Sequence, residues 1–190
     1  MIRIKKFTQK ILLNYFIKFS CCALVLMLAN CKEEVSEPLI LGQTYQGGII
    51  IFLDDNAQHG LIATTTDQHT TVQWCLGSCQ STNASGTAPG SGKVNTAKIV
   101  ALQTNGNYAA SICDQLVHNG YDDWFLPSKD ELHFLFVQKE SGRIFNFLAK
   151  EYWSSTESTA GRAWIEHMGN GDMSEGIKEN TACVRAMRSF

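Results

Sequence analysis

Four cysteines of this 190-residue chain have the types and spacing that most directly suggest chemistry. Cys75 and Cys79 flank a loop of three residues, which favours a local disulfide, and Cys113 would then pair with Cys183 across most of the domain. Cys75 and Cys79 also have the spacing of half a zinc site, but no second Cys/His pair follows at ligand spacing. The sequence therefore predicts Cys75–Cys79 and Cys113–Cys183 disulfides and no metal site, with free thiols as the alternative.

Carboxylates are a second possible source of chemistry. Asp122, Asp123, Asp130 and Glu131 lie close together and are the residue types used in acid–base catalysis. Each also has a structural explanation, because the first two suit a turn and the last two suit the start of a helix. Residues 90–93 fail the phosphate-loop pattern, and no nucleophile, base and orienting group come together. We predict no catalytic residues, no cofactor and no enzymatic activity.

Aromatic side chains are the remaining candidates for a binding site. Exposed tryptophans hold sugar rings by apolar contact, although tryptophans lie more often in the core. Trp153 and Trp164 lie on neighbouring predicted strands and are expected to pair across them. The predicted ligand-binding residues are Trp74, Trp124, Trp153, Trp164 and Glu157.

The elements that would position these residues indicate an α+β domain with antiparallel strands and two to three helices. Residues 47–55 and 59–66 read as paired strands, and residues 76–93 as a long loop. Asn95 is expected to cap a first helix, and Gly120 to end a second. Ser128 and Glu131 have the spacing of a capping box for a third. Strands are predicted near 152–157, 163–168, 173–178 and 183–188, with an Asn170–Gly171 hairpin turn and with the terminal strands paired.

The first thirty residues have the features of an export signal. Five basic residues, no acidic residue and an apolar run precede Leu28–Cys31, which resembles a lipobox. We predict a signal peptide over 1–30, lipidated Cys31 and a tether over 31–40, and a domain over 41–190. An uncleaved anchor helix is the alternative. Residues 32–34 resemble a surface-export signal, or are a solvated linker. The expected location is the outer membrane, lipid-anchored and exposed at the cell surface.

Charge narrows the possible partners. Of 16 basic residues five lie in 1–30, so the remainder carries 11 basic and 18 acidic residues, a net charge of −7. Nucleic acid and other polyanions require concentrated positive charge, which this domain lacks. The membrane, reached through the lipid anchor, and a glycan or host-surface ligand remain the expected partners.

Five segments of the chain carry recognisable motifs: Tyr45–Ile50, His59–Ala63, Gly120–Leu132, Tyr152–Glu157 and Val184–Arg188. Together they resemble the Lcl C-terminal domain family, also known as domain of unknown function 1566, over roughly residues 41–190. The resemblance implies a fold similar to C-type lectins and formylglycine-generating enzymes, and cell-surface proteins that include adhesins for host polysaccharides. The calcium-binding motifs of sugar-binding C-type lectins are absent, and the net charge disfavours sulfated polysaccharides.

These observations favour a surface-anchored lipoprotein with a lectin-like ligand-binding or adhesion domain that is not catalytic. A relative of the formylglycine-generating oxidases, which use reactive cysteines, is the first alternative. A structural envelope lipoprotein without a ligand is the second.

Overall fold

Two sheets and three helices make up the computed structural model, which describes residues 37–103 and 105–190. The predicted signal peptide, Cys31 and most of the tether lie outside these residues. Residues 38–190 form one compact unit. Within the described residues, no helix combines the length and apolar character needed to cross a bilayer.

The smaller sheet joins the two ends of the domain. Its strands are β1 (Thr44–Tyr45), β2 (Gly48–Leu53), β3 (Gly60–Ala63) and β9 (Met187–Ser189), in the order β1-β2-β3-β9. All its pairings are antiparallel. The predicted β2–β3 pair and the predicted pairing of the terminal strands are both confirmed.

The larger sheet holds the remaining strands. They are β4 (His69–Gln73), β5 (Glu151–Thr159), β6 (Arg162–His167), β7 (Met173–Ile177) and β8 (Thr181–Val184), in the order β4-β8-β5-β6-β7. The β5–β8 pair is parallel, and the others are antiparallel. Gly171 has a φ of 78° in the β6–β7 turn, a backbone conformation that glycine adopts freely, so the predicted Asn170–Gly171 hairpin is confirmed.

The predicted last strand is in fact two strands, because the chain changes sheets between β8 and β9. Arg185 lies at this crossing and is fully buried. Its guanidinium donates to Asp67 Oδ1 at 2.8 Å, to the Thr64 carbonyl at 2.9 Å and to the Asn146 carbonyl at 2.6 Å. These bonds fix the crossing of the chain from one sheet to the other.

Three helices cover the sheets: α1 (Ser91–Leu102), α2 (Ala109–Asp114) and α3 (Lys129–Glu140). The capping box of α3 is confirmed, because Ser128 N donates to Glu131 Oε2 at 2.7 Å and Glu131 N donates to Ser128 Oγ at 3.4 Å. The predicted Asn95 cap is wrong: α1 begins at Ser91, and the buried Asn95 side chain bonds the backbone of Gly86. Gly120 has positive φ but lies in a turn beyond the end of α2.

Alternating residues of the larger sheet face two separate core clusters. Trp153, Ala182 and Val184 belong to one cluster, which also contains Cys113. Tyr152 and Cys183, their neighbours in sequence, belong to the other. The predicted Cys113–Cys183 disulfide is therefore wrong, since the two residues are free, buried thiols in different clusters. The α+β class is confirmed.

Candidate functional site

A disulfide-closed loop follows β4 and forms the rim of a small pocket. Cys75 and Cys79 are joined with their Cα atoms 5.8 Å apart, so this predicted disulfide is confirmed. Gly77 turns the loop at a φ of 65°, where a residue with a side chain would be strained. The amide of Leu76 donates to Gln103 Oε1 at 3.1 Å, which ties the loop to the end of α1.

The pocket beside this loop has a volume of about 140 Å³. Two exposed leucines stand at its rim: Leu76 is 37% and Leu102 62% exposed. Hydroxyl and amide groups complete the wall, so the pocket combines apolar and hydrogen-bonding surface. Its lining residues are Cys75, Leu76, Ser78, Cys79, Gln80, Thr82, Leu102 and Gln103.

A buried ion pair supports the loop from beneath. Lys178 Nζ lies 3.2 Å from Glu157 Oε2, with both side chains almost inaccessible. Glu157 also accepts hydrogen bonds from Ser81 Oγ at 2.5 Å, from Thr82 N at 2.6 Å and from Thr82 Oγ1 at 2.5 Å. Burial opposes ionisation of Glu157, but these donors and the ammonium outweigh it and hold its pKa below the ordinary value. Glu157 is therefore a carboxylate at neutral pH.

The cation of this pair has three further contacts. Lys178 Nζ donates to the Ala160 carbonyl at 3.0 Å and to the Gln80 carbonyl at 3.5 Å. It also lies 4.1 Å from the centre of the Trp74 ring, within cation–π range. Because Gln80 and Thr82 line the pocket, the ion pair fixes one of its walls. The predicted residues Trp74 and Glu157 thus support the site without forming its surface.

Three of the four tryptophans belong to the core. Trp74, Trp124 and Trp153 are at most 2% exposed, so the prediction that they offer an exposed surface for ligand stacking is wrong. Their indole N–H groups donate to backbone carbonyls, those of Ser154, Tyr121 and Val72 respectively, at 2.8–3.1 Å. Buried tryptophans usually satisfy their single donor in this way.

Trp164 is the partly exposed tryptophan. Lys129 Nζ lies 3.4 Å from its ring centre. The strand register places Trp153 opposite Ile165 and Trp164 opposite Glu175. Because side chains alternate along a strand, Trp153 and Trp164 face opposite sides of the sheet, and the predicted pairing between them is wrong.

The acidic motif before α3 has structural partners. Asp123 Oδ1 accepts from Arg188 Nε at 2.6 Å, and this bond holds the pKa of Asp123 below its ordinary value. Glu131 is fully buried, where it caps α3 and accepts from Gly90 N at 2.7 Å. The predicted capping role of Glu131 is confirmed, whereas Asp123 pairs with Arg188 and does not form the predicted turn.

Glu166 and His133 form a polar pair that the sequence did not reveal. Glu166 is fully buried, and its Oε1 lies 2.8 Å from Nδ1 of the half-exposed His133. Its Oε2 has no partner among the described residues. Burial raises the pKa of Glu166. Across residues 37–103 and 105–190, no three His, Cys, Asp or Glu residues come close enough to hold a metal ion.

Sequence reasoning missed two of the eight lining residues of the pocket and the lysine that supports its wall. Leu102 and Gln103 come from the end of α1, and Lys178 follows β7. The other six lining residues lie between Cys75 and Thr82, in the predicted disulfide and the predicted long loop. Gln103 bonds a residue 27 positions away and Lys178 one 98 positions away, so no short motif contains them.

A family model matches most of the domain. No curated protein matches the chain. The family model described as the Lcl C-terminal domain matches residues 63–188, a span that includes the disulfide loop, α1–α3 and strands β4–β8. The chain therefore belongs to the Lcl C-terminal domain family.

Proposed function

We propose that this protein is a surface-anchored lipoprotein whose lectin-like domain binds a ligand in adhesion and is not catalytic. The observation that carries the proposal is the pocket at the disulfide loop, with exposed Leu76 and Leu102 at its rim. The export signal and Cys31 support the anchored location.

The pocket is held in shape before any ligand arrives. The Cys75–Cys79 disulfide closes the loop, and Gln103 ties the loop to α1. The Glu157–Lys178 pair fixes the wall that Gln80 and Thr82 form. Binding to a preformed site avoids the cost of ordering loop residues. A rigid rim of apolar side chains therefore favours recognition.

The size and chemistry of the pocket limit what it accepts. Sites that enclose a drug-sized ligand measure roughly 300–1,000 Å³. A pocket of about 140 Å³ suits one ring or one side chain of a larger ligand. The rim leucines would contact an apolar face, and Ser78, Gln80 and Thr82 offer hydrogen bonds. An uncharged glycan or a matrix protein has this combination, and the acidic domain disfavours sulfated chains.

Two observations on the thiols support a non-catalytic protein over the oxidase alternative. Cys113 and Cys183 are fully buried. Burial raises the pKa of both, which keeps them protonated and weakly nucleophilic at neutral pH.

Binding is tested with residues 32–190 on arrays of glycans and matrix proteins. We expect the wild-type domain to bind at least one ligand on the arrays. A Leu76→Ser/Leu102→Ser variant should lose at least tenfold in affinity for that ligand, which corresponds to about 1.4 kcal/mol. Val94→Ser is the matched control, because Val94 is 56% exposed on α1 but does not line the pocket. No binding to either class of ligand would contradict the proposal, as would equal binding by the rim variant.

The anchor is tested separately on the native protein. Mass spectrometry is expected to find acyl chains on Cys31, and Cys31→Ser is expected to release the protein from membranes. Protease added to intact cells should digest the domain. Protection of the domain would favour a protein facing the periplasm.

A further inference from the structure

Residues 141–150, here called the basic–apolar loop, expose large apolar side chains in an acidic domain. The loop contains Arg143 and Lys150 and no acidic residue, whereas the domain carries a net charge of −7 from the counts above. Phe145 is 61% and Leu148 41% exposed. Exposed aromatic and aliphatic side chains beside basic ones are typical of surfaces that contact a lipid headgroup region.

The loop holds these side chains outward on a fixed backbone. Ile144 is fully buried. The ring centre of Phe147 lies 5.6 Å from that of Tyr152 and 4.0 Å from Cζ of Arg185. Arg185 also donates to the Asn146 carbonyl at 2.6 Å. The Leu148 amide donates to Tyr152 Oη at 2.9 Å. Phe145 and Leu148 are therefore exposed while their neighbours are buried, on a backbone that cannot easily turn them inward.

The basic–apolar loop also lies beside the start of the domain. A Cβ at Gly42 would lie 3.1 Å from Cβ of Arg143, so Gly42 lies against the Arg143 side chain. Ile40, two residues before Gly42, is 62% exposed. Cys31 precedes Ile40 by nine residues, a length that spans at most about 30 Å when extended. A lipid on Cys31 would thus keep this surface within one short tether of the bilayer.

We propose that the basic–apolar loop, together with Ile40, seats the domain on the bilayer that holds its lipid anchor. Phe145 and Leu148 enter the headgroup region, and Arg143 and Lys150 face lipid phosphates. This inference rests on the anchored-lipoprotein part of the proposed function. It assigns the loop a partner, the lipid surface, that differs from the ligand of the pocket.

The test uses the full-length lipidated protein in vesicles of phosphatidylethanolamine and phosphatidylglycerol. A Phe145→Cys variant is labelled with an environment-sensitive fluorophore, and a Val117→Cys variant is the control, because Val117 is 74% exposed. Background labelling is low, since Cys75 and Cys79 form a disulfide and Cys113 and Cys183 are buried. The expected processing removes Cys21 and Cys22 and places the lipid on Cys31. We expect a blue shift and quenching by a nitroxide-labelled lipid at position 145 and neither at 117.

The outcomes separate the two proposals. If the protein floats with the vesicles but the probe at 145 stays in water, docking is overturned and the anchor stands. If the protein does not float, the anchor fails and docking fails with it. A concentration-dependent blue shift without vesicles would show self-association at this surface and overturn the inference. A Phe145→Ser/Leu148→Ser variant provides a second measurement: we expect faster proteolysis of the vesicle-bound protein, with unchanged circular dichroism.

Discussion

The buried pair between Lys178 and Glu157 gives the sharpest prediction about the pocket. Lys178→Met keeps the length of the side chain and removes its charge, which leaves a buried carboxylate. Breaking a buried ion pair typically costs about 3–5 kcal/mol. In the variant, Glu157 keeps three hydrogen-bond donors from Ser81 and Thr82, which reduce the cost of its buried charge. Glu157 can also take up a proton, and for an ordinary carboxyl at pH 7 this limits the loss of stability to about 4 kcal/mol. We therefore expect a loss of about 3 kcal/mol in the free energy of unfolding.

The converse change, Glu157→Gln, should cost about 4 kcal/mol, near the middle of the same range. The Lys178 ammonium then has no carboxylate partner. It keeps its hydrogen bond to the Ala160 carbonyl at 3.0 Å, its longer one to the Gln80 carbonyl and its contact with the Trp74 ring. The double variant should be less destabilised than the sum of the single variants, by about 2 kcal/mol, because neither charge is then stranded.

The pH dependence follows from the lowered pKa of Glu157. A carboxyl with a lowered folded-state pKa contributes stability above its unfolded pKa of about 4.3 and loses it as pH falls through the folded value. The difference between the wild type and Lys178→Met should therefore be largest near pH 7 and shrink below about pH 4.

Urea unfolding at several pH values, followed by tryptophan fluorescence, measures these differences. Lys139→Met is the control, because it breaks the more exposed Lys139–Glu140 pair and should cost less than about 1 kcal/mol. Hydrogen exchange should show faster opening of residues 76–86 in Lys178→Met and no such change in Lys139→Met. Losses below about 1 kcal/mol in both single variants, or strict additivity in the double variant, would refute the reasoning.

Three further predictions concern the disulfide, α1 and Glu166. Replacing Cys75 and Cys79 by Ser should lower stability by about 2 kcal/mol, as expected for closing so short a loop, and should weaken ligand binding on the arrays. A larger loss of binding in a Cys113→Ala control would contradict this. Gly92→Ala should destabilise by about 1–3 kcal/mol in urea, because the added Cβ would meet the Glu131 carboxylate and lie 2.9 Å from the Leu126 carbonyl. Ala101→Gly, in the exposed last turn of α1, is the milder comparison. The pKa of Glu166 is raised in the folded state, so ionisation of this carboxyl costs the wild type stability as pH rises above the unfolded-state pKa. Glu166→Gln has no such cost and should therefore become more stable than the wild type as pH rises. A pH-independent difference in melting temperature would refute this.

The sequence predicted features whose partners lie within a few residues of one another. Ser128 and Glu131 form the α3 cap, Asn170–Gly171 forms the hairpin turn, and Cys75–Cys79 forms the local disulfide. In each case the interaction is closed by one turn of chain, so residue types and spacing suffice. The α+β class followed from a different pattern, predicted strands at both ends of the domain with helices between them.

Predictions that depended on which face of a strand a residue occupies were less successful. Cys183 lies between Ala182 and Val184 and faces the other core cluster, so it cannot reach Cys113. Trp164 faces away from Trp153 for the same reason. A shift of one residue reverses the face of a side chain, and strand register is set by tertiary pairing that a single sequence does not display.

The three buried cations near the C-terminus explain how both proposed surfaces are positioned. Lys178 and Arg185 are fully buried and Arg188 is 6% exposed, and each pairs with a carboxylate. Each also lies about 4 Å from an aromatic ring centre, those of Trp74, Phe147 and Tyr121 respectively.

Each of these cations holds a different loop. Lys178 bonds the pocket loop at Gln80, Arg185 bonds the basic–apolar loop at Asn146, and Arg188 bonds Asp123 before α3. A buried cation needs several fixed acceptors to offset the loss of hydration, so each one forces its loop into a single conformation. The last thirteen residues therefore order segments that carry little regular structure of their own. This accounts for loops that keep leucine and phenylalanine exposed without collapsing onto the core.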